Sequence, residues 1–534
     1  MPRITIDGSE VEVAPHTTLL QAVLARGAEV PHYCYHPALS IAGNCRMCLV
    51  EVERAPKLVI ACATEAADGM VVRTGTERVK QAQAHVMEFL LINHPLDCTI
   101  CDQAGECRLQ EYAVEYGTGR SRLEDPKVLL AKAIDIGRHV MLDQERCIQC
   151  SRCTRFCDEV TGTGELAFFQ RGSRTMIGIY PGRRLDNPYS GNVVDLCPVG
   201  ALTLKEFRFR TRVWYLKNTP TVCAGCSRGC NVMVSVGRQQ EIMTTSGQFD
   251  DRIKRIVPRF NPAVNGHWIC DEGRLSYERL EAAPPTGTAQ CPPGTEVEWE
   301  TAVSRAADAL KRAAAAGRAA AVVSPRLINE TLFAWRRLFQ GLGDVTVGVQ
   351  RIVRGADDAL LLRADKGANS TGASWIFGDA TTADAVLAAA RAGDVDTLLV
   401  LGDVLDPADT LNVDDAARSR LGHLIHVGPF VDATARRASL LLPGCAWSEE
   451  DGTLVNCDGR VQRLRRCHRP RGEGRDGWRI VADLAAAAGL TFPGWRSTAD
   501  VLEAAAAEIP QLSGVTDEGV AMLGMVGAGG ARVA

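Results

Sequence analysis

Fifteen cysteines and one histidine in the first 270 residues fall into four groups of four, each spaced as metal ligands are spaced. The groups are Cys34, Cys45, Cys48, Cys62; His94, Cys98, Cys101, Cys107; Cys147, Cys150, Cys153, Cys197; and Cys223, Cys226, Cys230, Cys270. Thiolates are soft, charged donors that suit iron and zinc, and four ligands is the number an iron–sulfur cluster takes. A row of such clusters in one chain would carry single electrons.

The spacings differ in what they select. Cys34-x10-Cys45-x2-Cys48 with a distant Cys62 follows the plant-type [2Fe–2S] pattern, with a longer first gap. A zinc site prefers two separated C-x2–4-C pairs. In the second group three cysteines and a histidine suit zinc as well as iron. His94 enters because it stands four residues before a C-x2-C pair and no other cysteine occurs before Cys147. An imidazole in place of a thiolate removes a negative charge and raises a cluster's potential. Cys147-x2-Cys150-x2-Cys153-x3-Cys157 is the bacterial ferredoxin run, whose fourth cysteine serves the other cluster of a pair. No cysteine lies between Cys157 and Cys197, so that partner run is missing. Cys197-Pro198 completes the first set, and Cys157 is left as a spare core thiol. Cys223-x2-Cys226-x3-Cys230 with Cys270 predicts a further [4Fe–4S] cluster, with zinc a competitor.

The elements that must hold these ligands are partly readable. Ile4–Gly8 and Val11–Val13 predict a hairpin turning at Asp7-Gly8. Thr18 and Gln21 form a capping box for a short helix that Gly27 ends. Hairpin, helix and cysteine loop is the order of a β-grasp ferredoxin. Thr76–Asn93 predicts a helix with Val79, Ala82, Val86, Leu90 and Leu91 on its apolar face. Asn231–Val236 and Ile242–Thr244 read as strands, and Ala282–Glu296 as a Pro/Gly/Thr-rich linker. Beyond it, helices around Val303–Leu310 and Leu332–Phe339 alternate with strands at Ala319–Val323, Thr397–Leu401, His423–Val427 and Ser439–Leu442. That alternation predicts an α/β domain with a mainly parallel sheet. It carries neither G-x-G-x-x-G after a strand nor G-x-x-x-x-G-K-[ST], so no nucleotide site is expected. Cys291, Cys445, Cys457 and Cys467 form no ligand set, and the Gly/Ala/Val-rich stretch after Pro510 reads as loosely ordered.

At 534 residues the chain holds roughly three to five domains. A net charge of −4 argues against nucleic acid as a partner. No apolar run reaches membrane-spanning length. The opening residues read as a strand and not as a signal segment, so a cytoplasmic setting is expected, where thiols stay reduced and bind metal.

The order of the four groups resembles the large iron–sulfur subunit family of NADH:quinone oxidoreductase, respiratory complex I. The resemblance rests on Pro31-His32-Tyr33-Cys34, Gly43-Asn44-Cys45-Arg46-Met47-Cys48, Asn93-His94-Pro95-Leu96-Asp97-Cys98, Arg146-Cys147-Ile148-Gln149-Cys150 and Asn192-Val193-Val194-Asp195-Leu196-Cys197-Pro198. It implies one [2Fe–2S] cluster on the first group and [4Fe–4S] clusters on the second and third. It also implies a fourth cluster, found in some bacterial members off the main electron route, on the last group. Leu442-Pro443-Gly444, Glu450-Asp451-Gly452-Thr453 and Asn456 are similar to the molybdopterin-oxidoreductase fold, here expected as a scaffold without molybdenum and shorter than in many relatives. The implied fold is multidomain α+β. Its parts are a β-grasp [2Fe–2S] domain (1–78), a histidine-ligated segment (79–120) and a half-lost bacterial ferredoxin (138–215). A cluster domain of molybdopterin-oxidoreductase type (216–275), an α/β domain (297–495) and a tail (496–534) follow. The implied function is electron relay from NADH and FMN, held by a flavoprotein partner, towards quinone, coupled to proton translocation. The chain itself would carry no catalytic residue. Its partners would be the other peripheral-arm subunits and, indirectly, the membrane arm, on the cytoplasmic side of the inner membrane. Two rivals are a molybdenum formate dehydrogenase-like catalytic subunit and a zinc-stapled structural module.

Overall fold

The computed structural model describes residues 1–170, 172, 174–237, 252–378, 380–402 and 409–528. The expected strand Ile242–Thr244 lies outside the described residues. The chain divides into two compact units, Met1–Leu216 and Lys217–Ala534.

The first unit begins with the predicted hairpin. Asp7 (φ 47°) and Gly8 (φ 82°) both take left-handed backbone, and Ile6 pairs with Ser9 across the two-residue turn. Strands Ser9–Glu12, Arg3–Ile6, Val71–Arg73, Leu49–Val52 and Val59–Ile60 lie side by side in that order. The helix Leu19–Ala25 packs Leu19, Leu20 and Val23 into the core formed with Ile4, Ile6, Val50 and Val72. Its capping box is complete: the Gln21 amide donates to Thr18 Oγ1 at 3.3 Å, and the Thr18 amide donates to Gln21 Oε1 at 2.9 Å.

The next helix runs Glu77–Leu91 behind the N-cap Thr76, but its buried line is Val79, Gln83 and Met87. Of the expected face, Val79 is buried and Val86, Leu90 and Leu91 pack half-buried against a core, with Gln83 and Met87 joining them. Gln83 sits inside because its Nε2 donates to the Leu49 carbonyl at 3.3 Å. The rest of the unit holds a three-stranded sheet, Leu202–Leu204, Val140–Leu142 and Ile134–Asp135. An antiparallel hairpin, Leu166–Phe169 with Met176–Ile179, fills the stretch from which the second ferredoxin run is missing.

The second unit opens with the strands Leu216–Val222, Asn231–Gly237 and Ile253–Pro258. Its centre is a six-stranded, wholly parallel sheet in the order Thr381–Thr382, Val345–Val349, Ala319–Val323, Thr397–Leu401, His423–Gly428, Leu440–Pro443. In chain order this is third, second, first, fourth, fifth, sixth, a doubly wound sheet whose winding reverses between Ala319–Val323 and Thr397–Leu401. In such sheets a ligand lies beyond the carboxyl ends of the two strands at that reversal. Here the segments that follow these strands meet through a buried ion pair, Arg326 Nη2 to Asp409 Oδ2 at 2.7 Å, joined by Arg354 Nη1 at 3.1 Å.

Two readings of the sequence are corrected. Residues 282–296 are no free linker: Gln290 and Leu441 exchange backbone hydrogen bonds of 3.1 and 2.9 Å, and Thr286 and Ala289 are buried. Backbone partners at the sheet edge override the loop-like composition. The stretch after Pro510 is also packed as far as it is described. Leu512, Val515 and Val520 are in the core, and Met525–Val526 pairs with Arg460–Val461. Before it, the helix Thr498–Glu508 buries Val501, Leu502 and Ala505, so 496–528 is not a tail. Among the described residues no helix is long and apolar enough to cross a membrane.

Glu330 is a buried acid in this unit. Its carboxylate oxygens accept from the Thr453 amide at 2.8 Å and from Thr453 Oγ1 at 3.0 Å. Burial pushes it from 4.5 up to about 7. Across that window the folded chain keeps a proton that the unfolded chain has lost, so stability falls as pH rises and levels off above the folded value. Glu330→Gln is expected to raise the melting temperature of the full chain at pH 8, by up to about 3 kcal/mol of stability. It should change little at pH 5, and an equal change at both pH values would contradict this account.

Candidate metal centres

In the first group the strand pair Leu49–Val52 and Val59–Ile60 brings two ligands to one end. Leu49 pairs with Ile60, and the Ala61 amide donates to the Cys48 carbonyl at 2.8 Å, so Cys48 and Cys62 leave the sheet together. Cys34 and Cys45 come from the loop, where Gly43 (φ 61°) and Arg46 (φ 59°) make the tight turns. The added Cβ of any other residue at Gly43 would stand 3.0 Å from Ile60 Cδ1. The thiols act on one another. Cys34 is pulled down by hydrogen bonds with Cys45 and Cys62, and Cys62 is pushed up by those with Cys34 and Cys48. Cys48 is likewise pulled down by its hydrogen bond with Cys62, and Cys45 is pushed up by that with Cys34, so a cation is needed for all four to ionise together.

His94 closes the helix Glu77–Leu91, its amide donating to the Leu91 carbonyl at 3.1 Å. Burial, then the charges of Arg146 and Lys127, lower its imidazole to about 4. It is therefore neutral near pH 7, the form that binds metal. Cys98 is exposed while Cys101 and Cys107 are buried. Cys107 caps the helix Arg108–Glu115, and burial raises its thiol against the amides of Gln110 and Leu109. A Cβ on Gly200 would lie 2.2 Å from Cys101 Sγ, so only glycine leaves that sulfur its place.

The third group sits on a loop with two left-handed residues, Gln149 (φ 54°) and Ser151 (φ 62°), before the one-turn helix Arg152–Arg155. The Gln149 amide donates to Cys147 Sγ at 3.4 Å. Burial is the main cause that pushes Cys147 and Cys197 up to about 12, with Cys197 and Cys150 contributing for the first and Cys150 for the second. Cys157 is also raised to about 12, but after burial by Glu165 and not by the group. Cys153 is raised by burial and then by Cys150, Cys147, Cys197 and, after them, Cys157, so Cys157 lies at the margin of this group.

The fourth group lies in the second unit. Cys223 and Cys230 flank a turn closed by Cys223 N–H to Cys230 C=O at 2.8 Å. Cys270 caps the helix Asp271–Arg274 and accepts from the Gly273 amide at 3.3 Å. A Cβ on Gly273 would stand 3.0 Å from Cys223 Sγ and 3.4 Å from Cys270 Sγ. Burial and the Cys226 thiol push Cys223 up to about 12. Among the described residues no three His, Cys, Asp or Glu side chains are drawn tightly enough to enclose a single metal ion. The fit to a polynuclear cluster rests on the donor chemistry: buried thiols that raise one another, amides aimed at sulfur, and glycines that leave the sulfurs room.

Three arginines escape the spacing analysis. Arg146 donates to Asp97 Oδ2 at 3.0 Å and is among the charges acting on Cys101. Arg152 and Arg155 tie the loops of the first and third groups together. Their signal in the sequence is a cation inside a buried cysteine run, Cys150-Ser151-Arg152-Cys153-Thr154-Arg155. Tyr33, Met47, Met87, Tyr112 and Val199 pack in one apolar cluster with Cys34, Cys107 and Cys150, so thiols of the first three groups share a core.

Comparison with known proteins places this geometry. The 2Fe-2S iron-sulfur cluster binding domain family matches residues 2–77, and the NADH-ubiquinone oxidoreductase-G iron-sulfur binding region matches 83–122. The ferredoxin-like domain of NADH-quinone oxidoreductase subunit 3 matches 137–203, and molybdopterin oxidoreductase matches 363–487. The G subunit of NADH-quinone oxidoreductase from Rickettsia felis is 40% identical over 356 residues, covering 66% of this chain and 50% of that protein. The mitochondrial NADH-ubiquinone oxidoreductase 78 kDa subunit of Candida albicans is 31% identical over 604 residues, covering 90% of this chain and 82% of that protein. The chain belongs to this family. The chain spans about half the length of the Rickettsia proteins it matches. A crystal structure of an NAD+-reducing [NiFe]-hydrogenase in the H2-reduced state, 28% identical, covers 40% of this chain and 91% of that one. Its TM-score is 0.36, and it adds nothing to the assignment.

Two substitutions separate ligands from bystanders in this member of the family. Gly200→Ala displaces the Cys101 sulfur and should cost the chain about four irons, read by iron analysis after anaerobic purification. Cys157→Ala should leave iron unchanged and lower stability by about 1 kcal/mol. Iron lost from Cys157→Ala and kept in Gly200→Ala would reverse the assignment.

Proposed function

We propose that this chain is an electron-relay subunit of NADH:quinone oxidoreductase. The observation that carries the reading is the shared core: three ligand groups of one unit contribute thiols to a single apolar cluster with Tyr33 and Tyr112. In this reading Cys34, Cys45, Cys48 and Cys62 hold a [2Fe–2S] cluster. His94, Cys98, Cys101 and Cys107 hold a [4Fe–4S] cluster, as do Cys147, Cys150, Cys153, Cys197 and Cys223, Cys226, Cys230, Cys270. When bound, such clusters supply one-electron redox chemistry at fixed places.

The chain's own work is positioning and tuning. Thiolates and one neutral imidazole hold iron. Amides of Gln149, Gly225 and Gly273 donate to sulfur at 3.4, 3.4 and 3.3 Å and favour the more negative, reduced state. Buried aromatic and Met side chains keep water out. NADH oxidation at FMN belongs to a flavoprotein partner in this reading, and quinone reduction and proton translocation to other subunits. Exposed Leu96, Ile100, Phe209 and Trp214 border the histidine-containing group and suit packing against peripheral-arm partners. The arm would lie on the cytoplasmic face of the membrane. The α/β part of the second unit serves as a scaffold without molybdenum, in keeping with the Arg326–Asp409 pair beyond its central strands.

Anaerobically purified chain is expected to hold about fourteen irons and no molybdenum. In the assembled complex NADH should elicit EPR signals from the clusters. Zinc in place of iron would sink the reading. Stoichiometric molybdenum would favour a dehydrogenase of its own. Cys226→Ser should spare NADH-to-quinone turnover if the fourth group stands off the main route, provided the complex assembles.

A further inference from the structure

Arg152 sits where two ligand loops meet. Its Nη2 donates to the Tyr35 carbonyl at 2.5 Å and its Nη1 to the Leu196 carbonyl at 3.3 Å. Tyr35 follows Cys34 and Leu196 precedes Cys197, so one guanidinium grips the backbone beside a ligand of each of two groups. Arg155, on the same turn of helix, donates to the Cys34 carbonyl at 2.5 Å and to the Cys150 carbonyl at 3.5 Å. Asn44 Nδ2 donates to the Gln149 carbonyl at 3.1 Å. The loops of the first and third groups are thereby stitched along their length.

Two features set Arg152 apart from a structural clamp. Its Nε is closed off from solvent and has no hydrogen-bond partner among the described residues. The charges that act on it most are the thiols Cys150, Cys34, Cys197 and Cys45, two from each group. A buried guanidinium N–H left without an acceptor is costly, and a sulfur is the acceptor this surrounding offers.

We propose that Arg152 is a shared positioning residue for the redox centres of the first and third groups, its guanidinium favouring the reduced state of both and its Nε–H donating to a sulfur of one. The inference rests on reading both groups as iron–sulfur sites. Each centre takes up one electron and gains one negative charge, and a fixed cation in a poorly screened site stabilises that charge on either side. One residue then sets two potentials together.

The test is a redox titration followed by EPR on the assembled complex, for wild type, Arg152→Gln and Arg152→Lys. In Arg152→Gln the midpoints of the [2Fe–2S] signal and of the third group's [4Fe–4S] signal should both fall, while that of the histidine-containing group moves less. Arg152→Lys keeps a cation and loses Nε–H, so both midpoints should fall by less. Unchanged midpoints, a fall in one signal alone, or an equal fall in the histidine-containing group would overturn the proposal. If Arg152→Gln loads no iron, Arg152→Lys is judged by the same three outcomes. Absence of both signals from the wild type would instead remove the iron–sulfur reading of these groups.

Discussion

A buried thiolate repels its neighbours, and nearly every feature of the first 275 residues answers that repulsion. Burial first, with neighbouring thiols behind it, pushes Cys147, Cys197 and Cys223 up to about 12. Four such sulfurs stay together as anions only around a multivalent cation. The protein contributes the rest of the compensation: amides aimed at sulfur, left-handed residues that aim them, and arginines threaded between the loops. The glycines at 200 and 273 exist because sulfur takes the space a side chain would fill.

Much of this was legible before any coordinates. Ligand spacing is a local property, and it is read from the sequence without any fold. The capping box at Thr18 and the turn at Asp7-Gly8 are local too, and both formed as expected. What escaped was set by partners distant in sequence. Gln83 is buried because a carbonyl from Leu49 reaches it. Residues 282–296 look like a linker until Leu441 supplies backbone hydrogen bonds. Val345–Val349 is a strand of the parallel sheet whose alternation with Thr346 and Gly348 gave no buried-strand pattern. The arginines were visible as residues but not as neighbours of sulfur, since charge at the surface and charge inside a cysteine loop look alike in a sequence.

The second unit shows the opposite relation between fold and chemistry. Its doubly wound sheet has the strand order that elsewhere offers a crevice to a dinucleotide. The segments beyond the two central strands are joined by Arg326, Asp409 and Arg354, and from there to Glu272 and Lys366, beside the fourth ligand group. An ion-pair chain of this kind is worth little as net stability, but it fixes how the cluster-binding strands meet the sheet. Function has to be read from such sites and not from the architecture that carries them.

The common core of Tyr33, Met47, Met87 and Tyr112 has a further consequence for how the protein is made. Thiols from three groups end in that one cluster, so no group can be emptied without loosening the walls of the others. Closing that core is thereby coupled to the state of three ligand groups and not of one. A chain caught midway presents apolar surface and unpaired thiols together, the combination most exposed to oxidation and to capture by quality control.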